Sequence, residues 1–194
     1  MVVYLCFVWC FSLGVCESEV WGRVYTVYSK DYSLLEEFVV LALRDPEGFL
    51  ECARKYTLAL NVVPEVVVLG FSPQPLVAVL SLRGRVDYVV TSPEVVLGNV
   101  SAARFSHRIL GIYKPRIGEV IEAPMAPTQS IPPLVVLEKL GKAFSKVKNR
   151  VVDISGGTQL AAIAAVKSGI EKLTYTYPNG EKLVIYPITT VEKQ

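Results

Sequence analysis

Residues Val151 to Lys167, reading VVDISGGTQLAAIAAVK, restrict the fold more than any other stretch of the chain. A short β-branched run of Val151, Val152 and Ile154 halts at Ser155-Gly156-Gly157-Thr158, and an alanine-rich, helix-forming segment follows at once. That pattern is a strand, a tight glycine turn and a helix N-terminus. Two glycines let the backbone approach a ligand closely, and the free N–H groups and positive dipole end of the helix favour a phosphate or another anion. The same letters also describe a plain strand-to-helix connection in which Thr158 is the N-cap. Taken alone, the stretch supports a phosphate cradle and a tight turn equally.

A chain of 194 residues accommodates one domain, or a domain of about 130 residues with an appendage, and either buries a core. With 52% hydrophobic and 20% charged residues and a net charge of +2, it reads as a cytoplasmic globular protein whose apolar surplus suits a subunit interface. So small a net charge does not match a protein that coats long nucleic acids, although a local basic pocket stays compatible with it. Cys6, Cys10, Cys16 and Cys52 form no C-x-x-C pair, and the single histidine, His107, stands far along the chain. Zinc spacings are therefore absent, and no metal or cofactor is expected. Cys6, Cys10 and Cys16 are expected as buried apolar thiols on one face of a strand, with no disulfide scaffold.

Val2 to Cys16 is an apolar run without a charge. It lacks a basic n-region and an A-x-A cleavage pattern and, at about 15 residues, is short for a membrane span. A buried strand is expected there ahead of a signal peptide or a membrane-associated segment, and Val20 to Tyr28 completes a hairpin with it. Asp31 or Ser33 caps a helix through about Arg44, and Asp45-Pro46-Glu47 opens another that runs to about Leu60. Val62-Val63-Pro64 is the seam between a small α+β extension, residues 1–61, and the remainder, residues 62–194.

Beyond the seam, Glu65 to Leu69, Leu76 to Leu82 and Val86 to Thr91 read as a βαβ unit with a right-handed crossover. Ligands of such sheets lie beyond the carboxyl ends of the strands, where the loop Gly70-Phe71-Ser72-Pro73-Gln74 belongs; a proline-stiffened turn also accounts for this loop. Gly98 to Gly118 reads as polar and irregular, and its Arg104, His107, Arg108, Lys114 and Arg116 suit either phosphates or a solvated charged surface. Glu119 to Ala123 reads as a strand, Pro124 to Ser130 as a loop, and Ile131 or Leu134 to about Val147 as a helix. Lys172 to Tyr177 and Lys182 to Pro187 flank Pro178-Asn179-Gly180, a hairpin signal. The expected class is α/β: a Rossmann-like, mostly parallel sheet flanked by helices, with a terminal β-hairpin and the N-terminal extension.

Familiar catalytic patterns fit poorly. Gly156 to Thr158 lacks the spacing and lysine of a Walker loop, and no G-x-G-x-x-G fingerprint occurs. Gly70 to Gln74 begins like a hydrolase elbow, yet Gln74 stands where the second glycine belongs. Spacing alone leaves a Ser72, His107 and Asp153 triad as a remote option. Two strand-to-helix loops remain, Gly70 to Gln74 and Ser155 to Gln159, expected on one edge of one sheet. Their serines, Thr158 and helix N-termini suit phosphates, while Gln74, Gln129 or Gln159 suit a base edge, and Thr128 beside Gln129 joins the ligand-binding candidates.

The combination resembles the CARF domain, the Rossmann-like sensor associated with CRISPR systems. Its hallmark after a late strand is close to D-x-[TS]-G-G-T-[KR], and here reads Asp153-Ile154-Ser155-Gly156-Gly157-Thr158-Gln159. The family's other ligand loop, after its first strand, resembles Gly70-Phe71-Ser72-Pro73. The likeness covers about Val62 to Ile188 and includes the terminal hairpin. It implies a symmetric homodimer that binds a cyclic oligoadenylate, cyclic tetra-adenylate foremost, across its two-fold axis in type III CRISPR antiviral defence. Ser72 and the backbone of Gly156 to Thr158 would then hold phosphate and ribose, and Asp153 would brace the turn.

Some members of that family cleave their ligand as metal-independent ring nucleases, with a lysine after the glycine motif. Gln159 occupies that place here, so the catalytic candidates are Ser72, Gln159, Lys114 and Lys167. The alternative expectation is an adaptor or membrane-associated partner-binding protein with a non-catalytic Rossmann-like domain.

Overall fold

The computed structural model describes residues 32–189. The hairpin expected over Val2 to Tyr28, with Cys6, Cys10 and Cys16, lies outside the described residues. Helices α1 (Tyr32–Arg44) and α2 (Pro46–Lys55) lead into strands β1 (Thr57–Ala59) and β2 (Val66–Leu69). Then come α3 (Gln74–Arg83), β3 (Val86–Thr91), α4 (Pro93–Leu97), α5 (Arg104–Ile112), a 3₁₀ turn (Lys114–Arg116) and β4 (Ile117–Glu122). The chain continues through α6 (Pro133–Ser145), β5 (Val151–Asp153), α7 (Gln159–Lys167), β6 (Lys172–Asn179) and β7 (Lys182–Thr189).

The seven strands form one sheet in the order β1-β7-β6-β5-β2-β3-β4. Strands β2 to β6 run parallel, β7 folds back antiparallel on β6, and β1 pairs parallel to β7. The continuous apolar run Val66-Val67-Val68-Leu69 is buried throughout, as a strand covered on both faces requires. Val67 and Leu69 face a core shared with α1, α2, α3 and α5. Val66 and Val68 face a second core, with Val152 and Leu173, under α6 and α7. The protein is thus α/β, a helix layer on each face of a mostly parallel sheet with a terminal hairpin.

Four local expectations change. The second helix ends at Lys55 rather than near Leu60. Thr57 turns its hydroxyl back to Ala53 O at 2.8 Å, and Thr57, Leu58 and Ala59 pair with Leu183, Val184 and Ile185. Residues on both sides of Val62 therefore build one sheet and one core. Gly98 to Gly118 is not irregular: it contains α5, whose Phe105, Ile109 and Leu110 are buried against α1. Its Arg104 and Arg108 reach Glu36 on α1, and Arg116 reaches Glu47 on α2, so these three cations hold helices together. Ser33 lies within the first turn of α1, not at its cap.

Cys52 is buried on α2 and disulfide-bonded, which its spacing does not announce. Among the described residues no helix is long and apolar enough to cross a membrane, and no group of His, Cys, Asp and Glu is placed to hold a metal.

Candidate functional site

Strand order locates the crevice. From β2 the chain moves outward to β3 and β4, then crosses back so that β5 lies on the other side of β2. The helix after β2 packs on one face and the helix after β5 on the opposite face. Such a reversal point opens a crevice outside the carboxyl ends of the two strands, the usual ligand position in open α/β sheets. The two loops singled out by the sequence, Gly70 to Gln74 and Ser155 to Gln159, emerge there side by side.

Their glycines lie against each other. A Cβ on Gly70 would overlap the carbonyl oxygen of Gly156. A Cβ on Gly156 would overlap Val68 O and stand 2.8 Å from Gly70 N. One on Gly157 would sit 2.9 Å from the Ala161 side chain. At Gly70 and Gly156 the absence of a side chain is thus demanded by contact between the loops, and at Gly157 by the start of its own helix and by Val68.

Asp153 is fully buried at the end of β5 and accepts four hydrogen bonds. Its Oδ1 takes the Ser155 N–H at 3.1 Å and the Ser155 hydroxyl, and its Oδ2 takes the Thr174 and Thr176 hydroxyls at 3.1 and 2.7 Å. Burial raises its pKa, and the four donors oppose that rise without reversing it. This carboxyl ties the glycine turn to β6, as a brace does. It has no contact with His107, whose Nδ1 lies 2.9 Å from Val96 O, so the triad does not assemble.

The hydroxyls of the turn are also committed. Ser155 is spent on Asp153. Thr158 caps α7, accepting from Ala161 N at 3.4 Å, and donates to Met125 O at 2.5 Å, which anchors the loop after β4. What stays open is backbone. Gly157 N–H closes the turn on Ile154 O, whereas the N–H groups of Gly156, Thr158, Gln159 and Leu160 have no protein acceptor among the described residues. The Ser72 hydroxyl is likewise without a protein partner there, and Phe71 beside it is 47% exposed. Four N–H groups and one hydroxyl at a helix start can hold an oxyanion.

Other candidates are placed differently. Gln74 is fully buried in the first turn of α3 and Pro73 is buried before it, so neither offers a group to a ligand at the surface. Thr128 and Gln129 are exposed on the loop after β4, where the Thr128 hydroxyl accepts from Ile131 N at 3.2 Å. Gln159 is exposed at the start of α7. Lys114 precedes β4 and so stands at the opposite edge of the sheet, and Lys167 ends α7, about 12 Å along the axis from Gln159. Neither lysine meets the crevice of its own chain. Loops 70–73, 123–132 and 154–158 contain no charged residue at all.

Tyr175 and Tyr177 join the candidate site only in the fold. Pairing of β6 with β5 ends at Thr174, yet β6 continues to Asn179, about 17 Å farther. The hairpin therefore projects past the carboxyl edge. On the face shared with α7 it carries the two stacked rings, with centroids 6.3 Å apart. They are 39% and 56% exposed. Their signal was the alternation Thr174, Tyr175, Thr176, Tyr177, which puts aromatic residues and buried hydroxyls on opposite faces. No protein-family model and no curated protein matches the chain.

Proposed function

We propose that this protein binds a cyclic oligoadenylate, cyclic tetra-adenylate foremost, across the two-fold axis of a homodimer, as a sensor in type III CRISPR antiviral defence. One observation carries the reading: the D-x-S-G-G-T turn and the Ser72 loop abut at the reversal point of the sheet, where backbone N–H groups are left open. Phosphates would be held there by N–H groups, the helix dipole and the Ser72 hydroxyl, and the exposed Tyr175 and Tyr177 rings flank the same edge.

The same geometry favours holding the ring over cutting it. In-line attack by a ribose 2′-hydroxyl needs charge stabilisation on the phosphorane. Gln159 supplies a neutral donor, and Lys114 and Lys167 stand away from the crevice. The proposal is therefore of a binding protein, with cleavage dependent on a basic group from the partner subunit.

Thermal unfolding across cyclic tri-, tetra- and hexa-adenylate, with linear tetra-adenylate as control, tests it. A ligand at 100 times its dissociation constant adds about 2.7 kcal/mol, or roughly 5–11 °C for a chain of this size. No shift with any ring refutes binding. Linear adenylates ending in a cyclic 2′,3′-phosphate, formed in EDTA, would show cleavage as well.

A further inference from the structure

The amino-terminal edge of the sheet carries charge that the crevice loops at the carboxyl edge lack. Arg85 precedes β3, and Lys146, Lys148 and Arg150 precede β5. Three open pockets of about 380, 370 and 450 Å³ lie along this edge. The first shares Tyr88 and Arg150 with the second, and the second shares Arg85 and Gly118 with the third. They form one groove across the starts of β5, β2, β3 and β4, about 14 Å long at the usual strand spacing.

The groove has surplus positive charge. Arg150 Nη1 lies 2.9 Å from Asp87 Oδ2 and 3.3 Å from Glu65 Oε1. Arg83 lies 3.5 Å from Glu65, and Arg85 Nε lies 3.6 Å from Asp87 Oδ1. Three guanidinium groups share two carboxylates, so one charge and several N–H donors stay uncommitted. The Arg85 side chain is 68% exposed. Lys146 pairs with Glu119 at 3.3 Å, while Lys148 is exposed and has no acidic partner among the described residues. Helix dipoles explain part of this: Arg83 and Lys167 sit in last turns, where a cation is favourable. Arg85, Lys148 and Arg150 lie beyond the helix ends, where that compensation does not require them.

We propose that this groove binds the sugar–phosphate backbone of a single-stranded nucleic acid. Phosphates meet Arg85, Arg150, Lys146 and Lys148, and the half-buried Tyr88 presents its ring to a base. The small net charge argued against such a partner; its concentration on one edge argues for it. The site is separate from the carboxyl-edge crevice and does not rest on its reading.

Fluorescence anisotropy of a labelled ten-nucleotide oligouridylate, titrated with the full chain at increasing salt, tests this. Wild type should bind at low salt, with log K falling against log salt at a slope of about −2 if three phosphates are neutralised. The R85E/K148E double variant should lose at least tenfold in affinity. A control with the same charge change away from the groove, K139E/K182E, should stay within twofold, and all three should melt alike. Saturating cyclic tetra-adenylate should not displace the strand, whether or not that ring binds elsewhere. Absence of wild-type binding, equal loss in both double variants, or equal displacement by polyglutamate of similar length would overturn the proposal.

Discussion

Replacing Gly156 with alanine adds one methyl group where two loops meet. That methyl would overlap Val68 O, stand 2.8 Å from Gly70 N and 3.2 Å from Leu69 Cα. All three neighbours belong to the backbone at the end of β2, which cannot swing aside as a flexible side chain would. Overpacking costs about 1–3 kcal/mol, and a backbone wall places this site at the upper end, about 3 kcal/mol. At roughly 2–4 °C per kcal/mol, the melting temperature should fall by about 6–12 °C. Gly111→Ala is the internal control: nothing lies within 4 Å of its added methyl, and α5 should gain about 0.5–1 kcal/mol. Denaturant melts with a check on constant m-value read both. A Gly156→Ala protein that melts within about 1 °C of wild type would refute the loop contact. If it also lost cyclic oligoadenylate binding, the glycine would serve the ligand and not the fold.

Three further substitutions probe the turn. Thr158→Val removes both the cap to Ala161 N and the bond to Met125 O, and should cost about 1–2 kcal/mol in thermal melts; Thr158→Ser should recover most of it, and equal stability of the two would refute the role. For Asp153, a folded pKa above the unfolded value means the folded state holds the proton more tightly. That stabilisation is complete below about pH 3.9 and is lost as pH rises through the folded pKa. Denaturant titrations from about pH 3.5 to about 8 should therefore show wild type losing stability relative to Asp153→Asn, and parallel curves would contradict the raised pKa. Gln159→Lys sets a cation at the positive end of α7, costing about 0.3–1 kcal/mol of stability. It should tighten cyclic tetra-adenylate binding roughly five- to tenfold by calorimetry, and unchanged affinity would place the phosphates elsewhere.

The elements legible in the sequence are those specified locally. Strand β3 falls on Val86 to Thr91 as read, and the Asn179-Gly180 turn forms with Gly180 at φ +61°, where glycine is at ease. Strand β1 was illegible because three residues show no alternation and their partners, Leu183 to Ile185, lie at the far end of the chain. Helix α5 was hidden because Arg104, Ser106, His107 and Arg108 surround Phe105 and mask its spacing to Ile109. At the site, the sequence located both loops but not the use of their groups. Gln74 looks like a base reader as a letter and is a buried residue in the fold. Ser155 and Thr158 look like ligand hydroxyls, yet Asp153, Ala161 and Met125 hold them.

The uncharged crevice loops at the carboxyl edge and the basic amino edge impose different electrostatics, and salt separates them. At the carboxyl edge the positive potential comes from helix starts and open N–H groups, which act at short range and are screened little inside a crevice. A small ring of nucleotides also condenses few counterions, so its binding there should weaken only slightly with salt. At the amino edge the field comes from exposed side chains such as Arg85, at 68% exposure, and a flexible strand releases counterions when it meets them. Titrating both ligands from about 50 to about 200 mM salt should leave cyclic tetra-adenylate affinity within about twofold. The same change should weaken oligouridylate roughly fifteenfold or more at a slope of about −2. Equal, steep slopes for both would mean that the ring also binds the arginine edge, and that the glycine turn of Val151 to Lys167 is a connection and not a cradle.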